Sequence, residues 1–238
     1  MASPTPPTPE VDTPRADRYP DAAGVQTWLL VTTATFAGLL LLWVLLALSN
    51  DGGLAGIDAS LVGNYVATSQ RAVAKVGAIE SIARDITSLG SNTFLIFVTV
   101  VAAVVLVQLD RIGAASFVLA TALTGWIFNS IVKAFFARLR PEAMSITVTT
   151  ETSSFPSSHA MLAAIVFLTV AVVIARELES RPAAVTVLVT AIVLTVFVGL
   201  TRVYLAAHWP SDVLTGWALG SAWVLAAMRL TERPRPPS

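Results

Sequence analysis

Residues 156–175 read PSSHAMLAAIVFLTVAVVIA, a polar tetrapeptide running straight into sixteen residues without a charge. A helix needs about 20 apolar residues to cross a bilayer. The apolar stretch 160–175 reaches that length when it is extended by one turn back into the polar residues. The cluster then lies at the mouth of a membrane helix, where ionisable groups are costly to keep and mark a functional site by default.

The same pattern recurs outward along the chain. Residues 22–50 carry no charge and include the apolar run from Trp28 to Leu48. Residues 86–109 and 112–132 form two further spans joined by a tight turn at Asp110-Arg111. Beyond 160–175 come 182–201 and 213–228, the last again extended into the polar cluster before it. The reading is all-α, an integral membrane bundle of six transmembrane helices over residues 22–230. Residues 1–21 and 231–238, rich in Pro and charge and without apolar periodicity, read as disordered tails.

Composition agrees. Of 238 residues, 55% are hydrophobic and only 13% charged, against roughly a quarter charged in a soluble domain. A formal net charge of zero leaves no basic field for nucleic acid, which is not expected as a partner. With no cysteine there is no disulfide frame, thiolate chemistry or Cys-based metal site.

Segment 51–85 holds Arg71, Lys75, Glu80, Arg84 and Asp85, too many charges to span. Val62, Val66, Val73, Val76, Ile79 and Ile86 fall near helical spacing, which predicts an interfacial amphipathic helix between the first two spans.

Three polar clusters stand out: Lys133 with Arg140-Pro141, then Pro156-Ser157-Ser158-His159, then Thr201-Arg202 with His208 and Asp212. They hold both histidines and one of the two lysines. The first two share the loop between spans three and four, and two further crossings return the chain to the same face. One site on one side of the membrane follows from the crossing count alone. The opposite side carries 8 Lys/Arg, against 4 on the site's side once Lys133, Arg140 and Arg202 are set apart. Both termini are therefore expected in the cytoplasm, with the site facing outward; 13 Arg against 2 Lys, with many Ala, points to a GC-rich bacterial genome.

These residue types suit phosphoryl transfer, which needs positioned cations and amide donors around three charged oxygens. Lys133 offers a point charge, and Arg140 and Arg202 can each grip two oxygens. Ser157 adds a hydroxyl. The N–H groups of Ser157, Ser158 and His159 would form an anion site at a helix start. Four residues separate His208 from Asp212, so in a helical first turn the carboxylate can orient the imidazole as a nucleophile. His159 would protonate the departing oxygen and then activate water. The cations are built in, so no metal or other cofactor is required.

These spacings resemble the type 2 phosphatidic acid phosphatase (PAP2) superfamily. Lys133, six residues, Arg140-Pro141 matches the first part of its signature. Pro156-Ser157-Ser158-His159 matches the second, with Ser158 where the family usually has Gly. Thr201-Arg202, five residues, His208, three residues, Asp212 matches the third, with Thr201 for the usual Ser. Asp85 to Gly90 also looks like a segment ahead of the second span in bacterial members. The resemblance implies a six-span helical core related to haloperoxidases and a phosphohistidine enzyme acting on a lipid phosphate or diphosphate. Undecaprenyl diphosphate, phosphatidic acid and phosphatidylglycerol phosphate are equally open as substrates. Alternatives are a lipid phosphotransferase or headgroup transferase, and a non-catalytic lipid-phosphate-binding membrane protein. The oligomeric state is not legible.

Taken singly, several of these residues have plainer readings. Lys133 can be a lysine snorkelling from a helix end, and His208 with Asp212 a structural pair. Their joint occurrence at one spacing defeats that reading. Arg138, off the matched positions, reads as a loop charge, and Tyr204 and Trp209 as members of the interfacial aromatic belt. Asn129, one turn before Lys133, is expected to hydrogen-bond between helices.

Overall fold

The computed structural model describes residues 22–48, 53–61, 77–136, 138–141 and 153–231. They form eight helices and no strand: α1 (Ala22–Leu48), α2 (53–61), α3 (Gly77–Ser88), α4 (Asn92–Gln108), α5 (Ile112–Phe135), α6 (Ser158–Glu177), α7 (Arg181–Tyr204) and α8 (Pro210–Thr231). The expected tails, apart from Thr231 at the end of α8, and residues 62–76, with Val62, Val66, Val73 and Val76 of the expected amphipathic helix, lie outside the described residues.

Five helices, α1 and α5 to α8, are individually long and apolar enough to cross a membrane, and α3 with α4 makes a sixth span bent by 46°. The second span is therefore not one straight helix over its charge-free stretch. Residues 86–88 belong to α3, and α4 starts at Asn92 with the Ser91 hydroxyl accepting from Phe94 N at 3.3 Å. That cap satisfies an N–H group left over at a helix start and fixes where the new helix begins. The chain is an integral membrane protein.

Helix α6 is the axis of the bundle. Fourteen of its twenty residues are buried, so it is enclosed on all sides. A helix apolar all round belongs in such a position. In α4, also apolar, only Leu95, Thr99, Ala103 and Leu106 are buried, while Phe97, Val101, Val104 and their neighbours are exposed, a surface suited to lipid. In α1 the buried side chains Val25, Leu29, Thr32 and Phe36 recur every three or four residues, one stripe. That stripe meets α8, where the Phe36 and Trp217 rings stack at 5.3 Å.

Close approach of α8 to α6 depends on two glycines one turn apart. A Cβ at Gly216 would lie 2.9 Å from the Ser157 carbonyl oxygen, and one at Gly220 would lie 2.5 Å from that of Met161. Small residues at this spacing let membrane helices touch backbone to backbone. The contact sets the start of α8 against the start of α6.

At the far end, Arg111 in the α4–α5 turn pairs with Glu177 at the end of α6 at 3.0 Å. The two loops expected on the termini's side are thus neighbours. The three polar clusters gather at the opposite end.

Candidate active site

The loop ahead of α6 is tied to both of its partners by backbone. Ser154 N donates to Arg138 O at 2.8 Å, and Ser157 N to Asp212 O at 3.0 Å. Lys133, in the last turn of α5, reaches across and donates from Nζ to Ser153 O at 2.7 Å. After α7 the chain turns sharply through Ala206, at φ 50°, and the N–H groups of Ala207 and His208 both bond to Arg202 O. Pro210 then opens α8, a position where its missing N–H costs nothing. All three clusters meet.

His208 is 2% exposed and lies between Arg140 and Asp212. Arg140 Nη1 is 3.3 Å from His208 Nε2 and donates to Ala207 O at 3.1 Å. A guanidinium can only donate, so this contact requires a lone pair on Nε2 and leaves the proton on Nδ1. Nδ1 faces Asp212 Oδ2 at 3.5 Å and the Ser154 hydroxyl at 3.4 Å. Ser154 in turn donates to Asp212 Oδ2, as does Trp209 N at 3.0 Å. The carboxylate therefore faces the imidazole on the side opposite Arg140, next to the nitrogen that carries the proton in the tautomer a nucleophile needs.

Burial holds His208 well below the usual histidine range, at about 4. The facing Asp212 pulls upward, and the charges of Arg140 and Arg202 push down further. Burial likewise lowers Arg140 from its ordinary value, with Asp212 acting against it. An arginine starts so high that it keeps its charge. His208 is neutral at physiological pH.

Arg202 is 8% exposed, and its Nη1 donates to Thr87 Oγ1 at 3.1 Å, while Nε has no hydrogen-bond partner among the described residues. Thr87 belongs to the Asp85–Gly90 segment, which thus walls the site. Gly90 is needed there: a Cβ would lie 3.2 Å from His159 Cδ2 and 2.4 Å from a Val198 methyl. His159 itself is half-buried in the first turn of α6.

Ser157 and Ser158 differ in detail from their sequence reading. The Ser157 hydroxyl serves as the α6 N-cap, accepting from Ala160 N at 3.5 Å, and its N–H goes to Asp212 O. The amides of Ser158 and His159 occupy the first turn, where no intrahelical acceptor exists. The Ser158 hydroxyl exchanges hydrogen bonds with the Asn129 amide at 3.1 and 3.3 Å. Asn129 thus bonds between α5 and α6, as expected, and its partner is the residue that departs from the family pattern.

The PAP2 superfamily profile matches residues 113–236, more than half of the chain. The chain belongs to the PAP2 superfamily. It is 29% identical over 172 residues to phosphatidylglycerophosphatase B of Bacillus subtilis (strain 168), covering 69% of this chain and 84% of that protein. Its fold is similar to the crystal structure of the first transmembrane PAP2 type phosphatidylglycerolphosphate phosphatase from Bacillus subtilis. The TM-score is 0.70 at 24% identity, over 86% of this chain and 99% of that one.

Within this PAP2 protein, sequence reasoning overlooked three residues. Arg138 is no loop charge: Nη1 donates to Asp212 Oδ1 at 2.7 Å and to Ser211 Oγ at 2.6 Å, and Nη2 donates to Asp58 Oδ2 at 2.6 Å. The correction follows from burial, because both carboxylates are fully buried and need a counter-charge. Asp58 on α2 and Ser154 complete the group. A lone Asp in a Gly-rich stretch and a Ser outside the signature leave no periodic trace; Arg138, two residues before Arg140, was the available signal. Trp209 also has a second task, donating from Nε1 to Leu139 O at 2.9 Å, with Arg138 5.6 Å from its ring centre.

Proposed function

We propose that this chain is a metal-independent membrane lipid phosphatase working through a phosphohistidine on His208. The observation that carries this reading is the buried His208, with its Nε2 lone pair turned toward Arg140 and its Nδ1 toward Asp212.

The substrate phosphate would lie among Lys133, Arg140, Arg202 and the Ser158 and His159 amides, whose charge and N–H groups favour the equatorial oxygens. Ser157 would support those amides as the helix cap. The Nε2 lone pair forms a bond to phosphorus as the bond to the lipid oxygen breaks, and His159 gives that oxygen its proton. His159 then takes a proton from water, the water oxygen bonds to phosphorus, and the phosphorus–Nε2 bond breaks to return the lone pair. Asp212 balances the positive charge on the ring while phosphorus is attached.

Among the substrates left open, phosphatidylglycerol phosphate is favoured by the names of both relatives. The site would face outward, with both termini in the cytoplasm.

The test is phosphate release by purified protein in detergent with EDTA, using phosphatidylglycerol phosphate, phosphatidic acid and a polyprenyl diphosphate. Release should resist EDTA and fall by about three orders of magnitude or more in His208→Ala. Release unchanged in the mutant would overturn the reading. Substrate consumed only when a lipid alcohol is added, with the phosphoryl group recovered on that alcohol instead of as free phosphate, would instead establish the transferase.

A further inference from the structure

Among the described residues Asp58 is the deepest charge outside the signature, at 0% exposure. It accepts from Arg138 Nη2 at 2.6 Å, from Ser211 N at 3.2 Å and from the Ser211 hydroxyl. Arg138 is thereby held between two buried carboxylates, with Nη1 on Asp212 Oδ1 at 2.7 Å. Asp212 presents its other oxygen to His208. One cation serves two anions, and a net negative charge remains.

That surplus matters if His208 becomes positive during the reaction. An Arg138 belonging wholly to Asp212 would cancel the charge the imidazole needs. We propose that Asp58 is a positioning residue: by neutralising Arg138 it leaves the Asp212 carboxylate free to balance His208. Helix α2 is thereby coupled to the chemistry through Asp58. The inference rests on the phosphohistidine reading above.

Charge arithmetic makes it testable. Asp58→Asn leaves Arg138 unopposed, and kcat should fall about tenfold with KM within about twofold, because the loss belongs to the transition state. Adding Arg138→Gln restores the negative balance with a neutral amide pair in place of the ions. The double variant should recover kcat to within about threefold of the unmodified protein, a non-additivity typical of groups in contact. A purely structural latch behaves oppositely, since two lost contacts compound. A double variant no more active than Asp58→Asn overturns the proposal, as does an Asp58→Asn enzyme with unchanged kcat.

If Asp58→Asn does not fold, the folded double variant decides alone. Near-normal kcat supports the coupling, and loss of activity overturns it. The unmodified protein and His208→Ala run alongside. Release lost only in His208→Ala, with Asp58→Asn normal, removes this inference and leaves the phosphatase reading intact. No release by the unmodified protein removes both.

Discussion

At the scale of single residues, His208 shows how a buried environment selects a protonation state. Burial and two nearby guanidinium groups favour the neutral ring, which holds its pKa at about 4. The nucleophile proposed for this site must be neutral, so activity should persist into acid further than an ordinary histidine allows. The acid limb of kcat/KM is expected to turn below pH 6.5, and a limb at or above that value in a pH–rate profile would contradict the geometry. The sign for stability follows from the same shift. Between pH 6.5 and about 4 the unfolded chain takes up a proton that the folded chain refuses, so this group makes stability fall as pH falls through that window. The residues in the signature were legible because ionisable and hydroxyl side chains recur there at a set spacing. Asp58, Arg138 and Ser154 were not, because their meaning lies in partners at 2.5 to 3.4 Å from distant segments.

At the scale of elements, helix boundaries and helix contacts separate in how far they can be read. The starts of α6 and α8 came from the polar clusters and Pro210, where composition changes abruptly. The bend between α3 and α4 did not, because residues 86–109 carry no charge to mark it. It arises where Ser91 caps a new helix and Gly90 lies against His159. The α6–α8 contact is the joint that brings Asp212 to Ser157. Gly220→Ala should therefore cost about 1–3 kcal/mol through overpacking against the Met161 carbonyl. Thermal unfolding in detergent would register the loss, and activity should drop with it because the His208–Asp212 end of α8 shifts. A Gly220→Ala protein with unchanged melting and turnover would show that the helices can separate without consequence.

At the scale of the whole molecule, the site sits at one end of the bundle and the Arg111–Glu177 pair at the other. The absence of cysteine makes orientation directly measurable. Leu139, beside the site, is 85% exposed, and Leu109, in the far turn, is 64% exposed. In intact cells an impermeant thiol reagent should label Leu139→Cys and spare Leu109→Cys; the reverse pattern would invert the topology. The sequence by itself determined the membrane class, the helical spans and the convergence of three clusters on one face, since charge is excluded from hydrocarbon and crossings can be counted. Only the tertiary structure decided which face of each span turns inward. Lipid is as apolar as leucine, so α1 and α4 carry no polar side to betray their orientation. Packing alone chose the stripe of Val25, Leu29, Thr32 and Phe36 on α1. The same packing decided that a carboxylate on α2 would share Arg138 with Asp212, because a buried charge takes whichever partner the fold brings within reach.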